Sequence, residues 1–197
     1  SDGGCLLAGE SESSANGDRS QGKRGYQDYW VVRVNASGGK VWDKRFGGDG
    51  ADFCESIKVT ANGNYILAGS SVSGQNGDKS SRRGSYDFWV VKINSSGTKI
   101  WDKCFGGIGN SNNGWDRCES IVLAPDGGYL LAGYSNSGTT GDKSEASRGG
   151  KDFWAVKING NGDKVWDKRF GSSSIEKFYS VIATIGGGYI LAGNSNS

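Results

Sequence analysis

The stretch DFWVVKINSSGTKIWDKCFGG, residues 87–107, decides the fold because the chain repeats it. Related stretches run from residue 28 as DYWVVRVNASGGKVWDKRFGG and from residue 152 as DFWAVKINGNGDKVWDKRFGS. A second motif, LLAG or ILAG, begins at residues 6, 66, 130 and 190, so its spacings are 60, 64 and 60 residues. Self-similarity at such a period predicts a repeat architecture.

Each repeat contains four short segments rich in Val, Ile, Tyr, Phe and Trp, bounded by Gly, Asn, Asp or Ser. This composition predicts β-strands, illustrated by residues 119–123, 129–133, 153–159 and 164–170, and no window shows helical periodicity. Four antiparallel strands at this period are typical of a propeller blade. The sequence therefore predicts an all-β fold, a β-propeller built from four-stranded antiparallel blades of 60 to 64 residues.

The chain is interpreted as one propeller repeat array over residues 1–197, with whole repeats at 2–61, 62–125 and 126–185 and a partial repeat at 186–197. Because propellers close with about four to eight blades, three and a fraction do not make a ring. We expect either a fragment of a longer chain that holds the remaining blades, or self-association of copies. The absence of Met, including an initiator, favours the fragment.

Composition excludes several classes of function. The net charge of +2 comes from 23 basic and 21 acidic residues spread along the chain, which argues against a nucleic-acid partner. No stretch approaches the roughly 20 apolar residues of a membrane-spanning helix, so we expect no membrane insertion. The chain has no His, which removes the commonest general base and zinc ligand. We expect neither a catalytic site nor a metal site.

Six of the seven Trp recur with the period, on the third strand (Trp30, Trp89, Trp154) or on the fourth (Trp42, Trp101, Trp166). We expect these rings to pack between blades, since an aromatic side chain buries a large apolar area. The Asp residues that precede or follow these Trp are expected to bind backbone N–H groups: Asp28, Asp43, Asp87, Asp102, Asp152 and Asp167. The quoted stretch is thus interpreted as scaffold.

The largest departure from the repeat lies between Phe105 and Ser120, where five residues are inserted relative to the other repeats. This loop holds Trp115, the Trp outside the periodic set. Departures from a repeat indicate function, and an aromatic ring on a polar loop can stack on a sugar. The loop is therefore a candidate glycan-binding site, with the candidate residues Trp115, Asn112, Asn113 and Asp116. The alternative is that Trp115 folds back over the blade edge.

Loops of the form GD(K/R)S place Asp18, Asp78 and Asp142 on one expected face, as further candidates. Calcium needs about six to eight oxygen ligands, and a cation follows each of these Asp residues. A turn anchored by the Asp is therefore favoured, with Ca²⁺ as the alternative and no other cofactor expected. Cys104 and Cys118 flank the inserted loop and would form a disulfide if the protein is secreted, or else are reduced core residues.

The run DYWVVRVNASGGKVWDKRFGGDG, residues 28–50, resembles the delta-sixty repeat of bacterial secreted proteins. It is also similar to propeller repeats of the quinoprotein dehydrogenase superfamily, and to repeat arrays in large secreted surface proteins, many of which carry a type nine sorting domain. The resemblance implies a propeller fold and an extracellular or cell-surface location. It does not extend to the acidic metal site or the paired Cys that a quinone cofactor would require.

The function expected from these observations is recognition or adhesion by a non-catalytic module of a bacterial surface protein, with a glycan or a surface protein as partner. An enzyme, either glycoside-active or quinoprotein-like, is the first alternative, although no carboxylate pair stands out in the sequence. A structural spacer made of stacked repeats is the second alternative.

Overall fold

The computed structural model describes residues 3–108 and 114–196, and every regular element in these ranges is a β-strand. Within them no helix is long and apolar enough to cross a membrane. The strands form four antiparallel sheets in chain order. Their bounds are β1 (Cys5–Ser11), β2 (Asp28–Val34) and β3 (Lys40–Phe46) in the first sheet, β4 (Asp52–Val59), β5 (Tyr65–Ser71), β6 (Asp87–Ile93) and β7 (Lys99–Phe105) in the second, β8 (Asp116–Leu123), β9 (Tyr129–Ser135), β10 (Asp152–Ile158) and β11 (Lys164–Phe170) in the third, and β12 (Glu176–Ala183) and β13 (Tyr189–Ser195) in the fourth.

The repeated all-β architecture is confirmed, and the predicted four-stranded units are complete in the second and third sheets. The first sheet has three strands, the fourth has two, and the four sheets do not close into a barrel or a propeller. The sequence repeats are offset from the sheets by one strand. The repeat at 62–125 holds β5 to β7 and also β8, because the loop after each Phe-Gly leads the chain into the next sheet.

The hairpin between the last two strands of each of the first three sheets is closed by an Asn side chain. In the second sheet the Oδ1 of Asn94 accepts the backbone N–H of Ser96 at 3.0 Å and of Thr98 at 2.9 Å. Gly97 in this turn has a φ of +80°, which a residue with a side chain rarely adopts. A Cβ at Gly97 would also lie 2.7 Å from Lys44 of the first sheet. The turn is therefore a structural device that also brings neighbouring sheets together.

The sheets stack face to face, and aromatic rings fill the seams between them. Trp89 of the second sheet packs on Tyr29 of the first, with ring centroids 4.7 Å apart. Trp154 of the third sheet packs in the same way on Phe88 of the second, also at 4.7 Å. Both Trp side chains are fully buried. This confirms inter-sheet packing for these two Trp, and burial of such large rings is a main source of stability.

The cation of each GD(K/R)S loop lies inside the fold. The Nζ of Lys79 is 3.2 Å from the carboxylate of Asp87, and both side chains are fully buried. Lys79 also donates to the carbonyl oxygen of Ser73 at 3.0 Å. Asp87 accepts the backbone N–H of Gly84 at 2.7 Å and of Arg83 at 3.0 Å, as predicted. The buried cation recurs as Arg19 in the first sheet and Lys143 in the third, so each loop is held against its own sheet.

The Asp of each WDK motif binds the backbone, as predicted, and also a Trp indole. Asp43 accepts the backbone N–H of Ser20 at 2.8 Å and the Nε1–H of Trp30 at 3.1 Å. Burial alone would raise the pKa of Asp43, but hydrogen bonds from Ser20, Trp30 and Lys40 together lower this pKa to about 2. Asp102 and Asp167 form the equivalent bonds in the next two sheets. The stretch quoted first is therefore scaffold.

Candidate ligand-binding surface

The second and third sheets meet at a seam where an aromatic pair forms outside the strands. An isolated parallel bridge joins each sheet to the next. On one side is the residue directly before β4, β8 or β12, and on the other is the residue directly before β2, β6 or β10 of the preceding sheet. At the other two seams these bridges join Gln27 to Ala51 and Lys151 to Ile175. At this seam the bridge joins Tyr86 to Trp115. The backbone of Trp115 therefore has the same bridge as its equivalents Ala51 and Ile175. What differs from the other repeats is its large aromatic side chain.

Three aromatic rings lie side by side at this seam. The rings of Tyr86 and Trp115 are tilted by 55° with centroids 5.1 Å apart, and Phe53 stacks on Tyr86 at 6.3 Å. The backbone N–H of Trp115 donates to the Oδ1 of Asn136 at 2.8 Å. Trp115 is nevertheless 40% exposed. The ring therefore both covers the seam and presents part of its surface to solvent.

Two cations are interleaved with these rings. The guanidinium of Arg117 lies 5.1 Å from the ring centroid of Phe53 and 5.6 Å from that of Tyr86. The Nζ of Lys151 lies 4.5 Å from the ring centroid of Tyr134 and 5.5 Å from that of Trp115. Contacts of this kind attract a cation to the face of a ring and hold both side chains in place. We call this set the aromatic–cation surface, and its members are Phe53, Tyr86, Trp115, Arg117, Tyr134 and Lys151.

Two glutamates lie beside this surface at equivalent positions of β4 and β8. Glu55 and Glu119 each occupy a β-bulge, which leaves them outside the cross-strand register. A carboxylate oxygen of Glu55 is 3.8 Å from the guanidinium of Arg117. Burial raises the pKa of both glutamates, and the charge of a second carboxylate adds to the rise, from Glu10 for Glu55 and from Glu55 for Glu119. The surface thus combines aromatic rings, cations and carboxyl groups.

The other predicted residues of the inserted loop have different positions. Asn112 and Asn113 lie outside the described residues. Asp116, the first residue of β8, is fully buried rather than available to a ligand. Its carboxylate accepts the hydroxyl of Ser137 at 2.8 Å and the backbone N–H of Gly107 at 2.9 Å, and burial raises its pKa to about 6. Asp116 therefore supports the strand behind Trp115.

Two of the three aspartates of the GD(K/R)S loops bridge neighbouring sheets instead of anchoring their own turns. The carboxylate of Asp78 accepts the guanidinium of Arg24 at 2.5 Å, and that of Asp142 accepts the guanidinium of Arg83 at 3.0 Å. Asp18 is exposed on the first sheet. The described residues contain no group of three or more Cys, Asp or Glu placed to hold a metal ion. Since a guanidinium neutralises two of these carboxylates, their geometry does not favour Ca²⁺.

The structure has the reduced form of Cys104 and Cys118, which is one of the two states that the sequence leaves open. Cys104 on β7 and Cys118 on β8 are both free thiols, and both are buried. Burial raises the pKa of each thiol far above its ordinary value, which keeps the reactive thiolate scarce. The alternative interpretation, in which these Cys are small core residues, fits this environment.

Sequence reasoning selected Trp115 as a candidate but did not select the residues that surround it in the structure. Tyr86 lies 29 positions earlier in the chain, and Lys151 lies in a loop that resembles an ordinary turn. Alignment of the repeats shows a signal, since Trp115 occupies the position of Ala51 and Ile175. The partner of that position becomes apparent only when the contact between sheets is known. No protein-family model matches the chain, and no curated protein matches it either.

Proposed function

We propose that the chain is a non-catalytic recognition module that binds a glycan at the aromatic–cation surface. The observation that carries this proposal is the ring of Trp115, which is 40% exposed and is held in place by Tyr86 and Lys151. An aromatic ring that is fixed before binding loses little conformational entropy when a ligand stacks on it. The apolar face of a sugar ring is a suitable partner for such a side chain.

The proposed architecture is that of a β-propeller in which each sheet is one blade. Support comes from the four-stranded antiparallel meanders, their order along the chain and the identical ring contacts at successive seams. We also propose that the module works in adhesion, outside the cell or at the surface of a bacterium. That part of the proposal rests on the likeness of the repeat to secreted arrays, which provides a further reason to test glycans first.

Acidic glycans are the favoured ligands within this class. Lys151 places among the aromatic rings a positive charge that no carboxylate of the described residues pairs, and a uronate or sulfate group could bind it, whereas Arg117 already faces Glu55 at 3.8 Å. Attraction between exposed charges is screened by salt, with a Debye length of about 8 Å at physiological ionic strength. We therefore expect acidic polysaccharides to bind more tightly than neutral ones, with an advantage that decreases as salt is added.

Replacement of Trp115 by Ala is expected to weaken glycan binding by roughly tenfold, since aromatic contacts contribute about 0.5–1.5 kcal/mol beyond the area they bury. We expect the Trp115→Ala variant to fold, because the ring lies at the surface. A glycan array identifies the ligand, and calorimetric titration of the best hit measures the affinity of each variant. Trp166→Ala is the matched control, since Trp166 is a periodic Trp that is 37% exposed. Equal affinity of wild type and Trp115→Ala would refute the proposed site.

Glycoside hydrolysis is a second candidate function, and the pair Glu55 and Glu119 favours it. A glycosidase requires two carboxyl groups, one of which must hold a proton near neutral pH. Burial first, and then a neighbouring carboxylate, raise the pKa of both glutamates, which is the direction of shift that a general acid needs. Release of reducing ends from the same glycans, lost in both Glu55→Gln and Glu119→Gln, would establish an enzyme. Binding without any release of reducing ends would leave recognition as the function.

A further inference from the structure

The second and third sheets border a cavity at the edge opposite to the aromatic–cation surface. Tyr86 and Trp115 come directly before β6 and β8, whereas the cavity is lined by Lys92 near the end of β6 and by Leu123, the last residue of β8. Its volume is about 290 Å³, close to the lower end of the roughly 300–1,000 Å³ range of small-molecule sites. Both bordering sheets have all four strands, so the cavity belongs to a complete seam.

The lining of this cavity is divided between polar and apolar groups. Its polar side chains belong to the second sheet and to the turn after β4: Thr60, Asn62 and Lys92. The third sheet and the turn after β8 contribute apolar surface: Leu123, Ala124 and the ring of Tyr129. A small ligand with one polar end and an apolar body matches this division.

Lys92 brings to the cavity a positive charge that no carboxylate of the described residues pairs. Its Nζ donates to the carbonyl oxygen of Gly160 at 3.1 Å and lies 5.6 Å from the ring centroid of Tyr129 and 5.8 Å from that of Trp101. An ammonium group has more donors than this bond uses, and neither a carbonyl oxygen nor a ring carries a net negative charge. Because Lys92 is half-buried, an anion beside it would be attracted more strongly than at an exposed lysine.

The third sheet shows which partner the repeat can supply to this lysine. Lys157 is the equivalent of Lys92, and its Nζ lies 2.8 Å from the carboxylate of Asp126. In the second sheet the equivalent of Asp126 is Asn62. A difference at one turn position therefore leaves Lys92 without the carboxylate that Lys157 has.

Asn62 supplies a hydrogen-bond donor in place of that charge. Its Oδ1 accepts the hydroxyl of Thr60 at 2.6 Å, and the described residues give its Nδ2 no acceptor. An amide nitrogen and an ammonium are both donors, so together they suit a group that only accepts hydrogen bonds. An ionised carboxylate is such a group, and its bonds to a charged donor are among the stronger ones.

We propose that this cavity binds a small organic acid, whose carboxylate contacts Lys92 and Asn62 and whose apolar body lies against Leu123, Ala124 and Tyr129. The carboxylate supplies the charge that Asp126 supplies in the third sheet. The volume of the cavity restricts the ligand to a small molecule. The proposal does not depend on glycan binding, because Trp115 lies at the other edge of the seam.

Calorimetric titration of the intact chain tests the need for a carboxylate. The probes are benzoate and butyrate, with benzamide and butyramide as their neutral counterparts. We expect at least one acid to bind with a Kd of about 1 mM or lower, and its amide to bind about tenfold more weakly or less. No saturable binding of either acid up to roughly 10 mM, or equal affinity of acid and amide, would overturn the proposal.

Asn62→Asp tests the position of the site. It offers Lys92 the internal partner that Lys157 already has, so we expect the Kd of the acid to rise about tenfold or more. The variant should fold, since Asn62 is exposed in a turn, and circular dichroism verifies this. Asn16→Asp makes the same change of charge at an exposed turn of the first sheet and is the matched control. Unchanged affinity in Asn62→Asp, or an equal loss in Asn16→Asp, would exclude this cavity as the site.

Glucuronate distinguishes a free apolar acid from an acidic sugar as the source of the carboxylate. It has the same charged group on a hydroxylated body, and its hydroxyls would lose water against Leu123 and Ala124. We therefore expect it to bind more weakly than benzoate. Tighter binding of glucuronate would overturn the assignment of an apolar body. Failure of this site leaves the glycan proposal intact, because Trp115→Ala tests that proposal separately.

Discussion

Replacement of Lys79 by Met is expected to lower the free energy of unfolding by about 3–5 kcal/mol, because it leaves the buried carboxylate of Asp87 without its cation. Met keeps the length and the apolar stem of Lys, so the loss reflects charge more than volume. The Nζ of Lys79 also donates to the carbonyl oxygens of Ser71 and Ser73, which would lose a donor. Denaturation by urea, followed by Trp fluorescence, measures the change.

Two variants separate this effect from a general effect of losing a Lys. Lys103→Met removes a cation whose partner, Asp163, is 60% exposed, and surface pairs of this kind contribute roughly 0–1 kcal/mol. Lys79→Met combined with Asp87→Asn removes both charges, and we expect it to regain part of the lost stability. A loss below about 1 kcal/mol for Lys79→Met would show that the loop does not depend on the buried pair.

Replacement of Trp154 by Ala is expected to lower the free energy of unfolding by about 3–5 kcal/mol, the range for large aromatic residues removed from a core. The ring is fully buried, packs on Phe88 at 4.7 Å and donates its indole N–H to Asp167 at 3.1 Å. Its removal leaves a cavity at the centre of the second seam. The cavity cannot collapse easily because strands of two sheets hold its walls apart.

Trp30→Ala is the matched control, because Trp30 occupies the same repeat position and its indole makes the same bond to an Asp, at 3.1 Å. In the described residues no preceding sheet buries Trp30, so about half of the effect of Trp154→Ala is expected. Urea denaturation of both variants makes the comparison. Equal losses for the two variants would contradict the account of the seams.

The fold was accessible from sequence because its signals are local. The Val- and Ile-rich segments around Trp89 specify strands, and Asn94 with Gly97 specifies the turn between two of them. Repetition at 60 and 64 residues then shows that the same unit recurs. Periodicity also separated the scaffold Trp residues from Trp115, which alone breaks the pattern.

What the sequence did not reveal depends on contacts between sheets. Arg24 and Asp78 are 54 residues apart, and no local rule brings them together. Lys79 sits in a Ser- and Gly-rich loop, where a charged side chain is ordinarily solvated, yet it is buried because Asp87 lies behind it. Tyr86 becomes the neighbour of Trp115 only through the bridge between their sheets.

The proposed function requires that Trp115 contacts the ligand and that the six periodic Trp residues do not. Heteronuclear NMR of the seven indole N–H groups, recorded while the best glycan of the array is added, tests it most directly. We expect the resonance of Trp115, assigned with Trp115→Ala, to shift in proportion to occupancy while the other six stay in place. Shifts of the periodic indoles with an unmoved Trp115 resonance would contradict the claim and place the ligand on the scaffold itself.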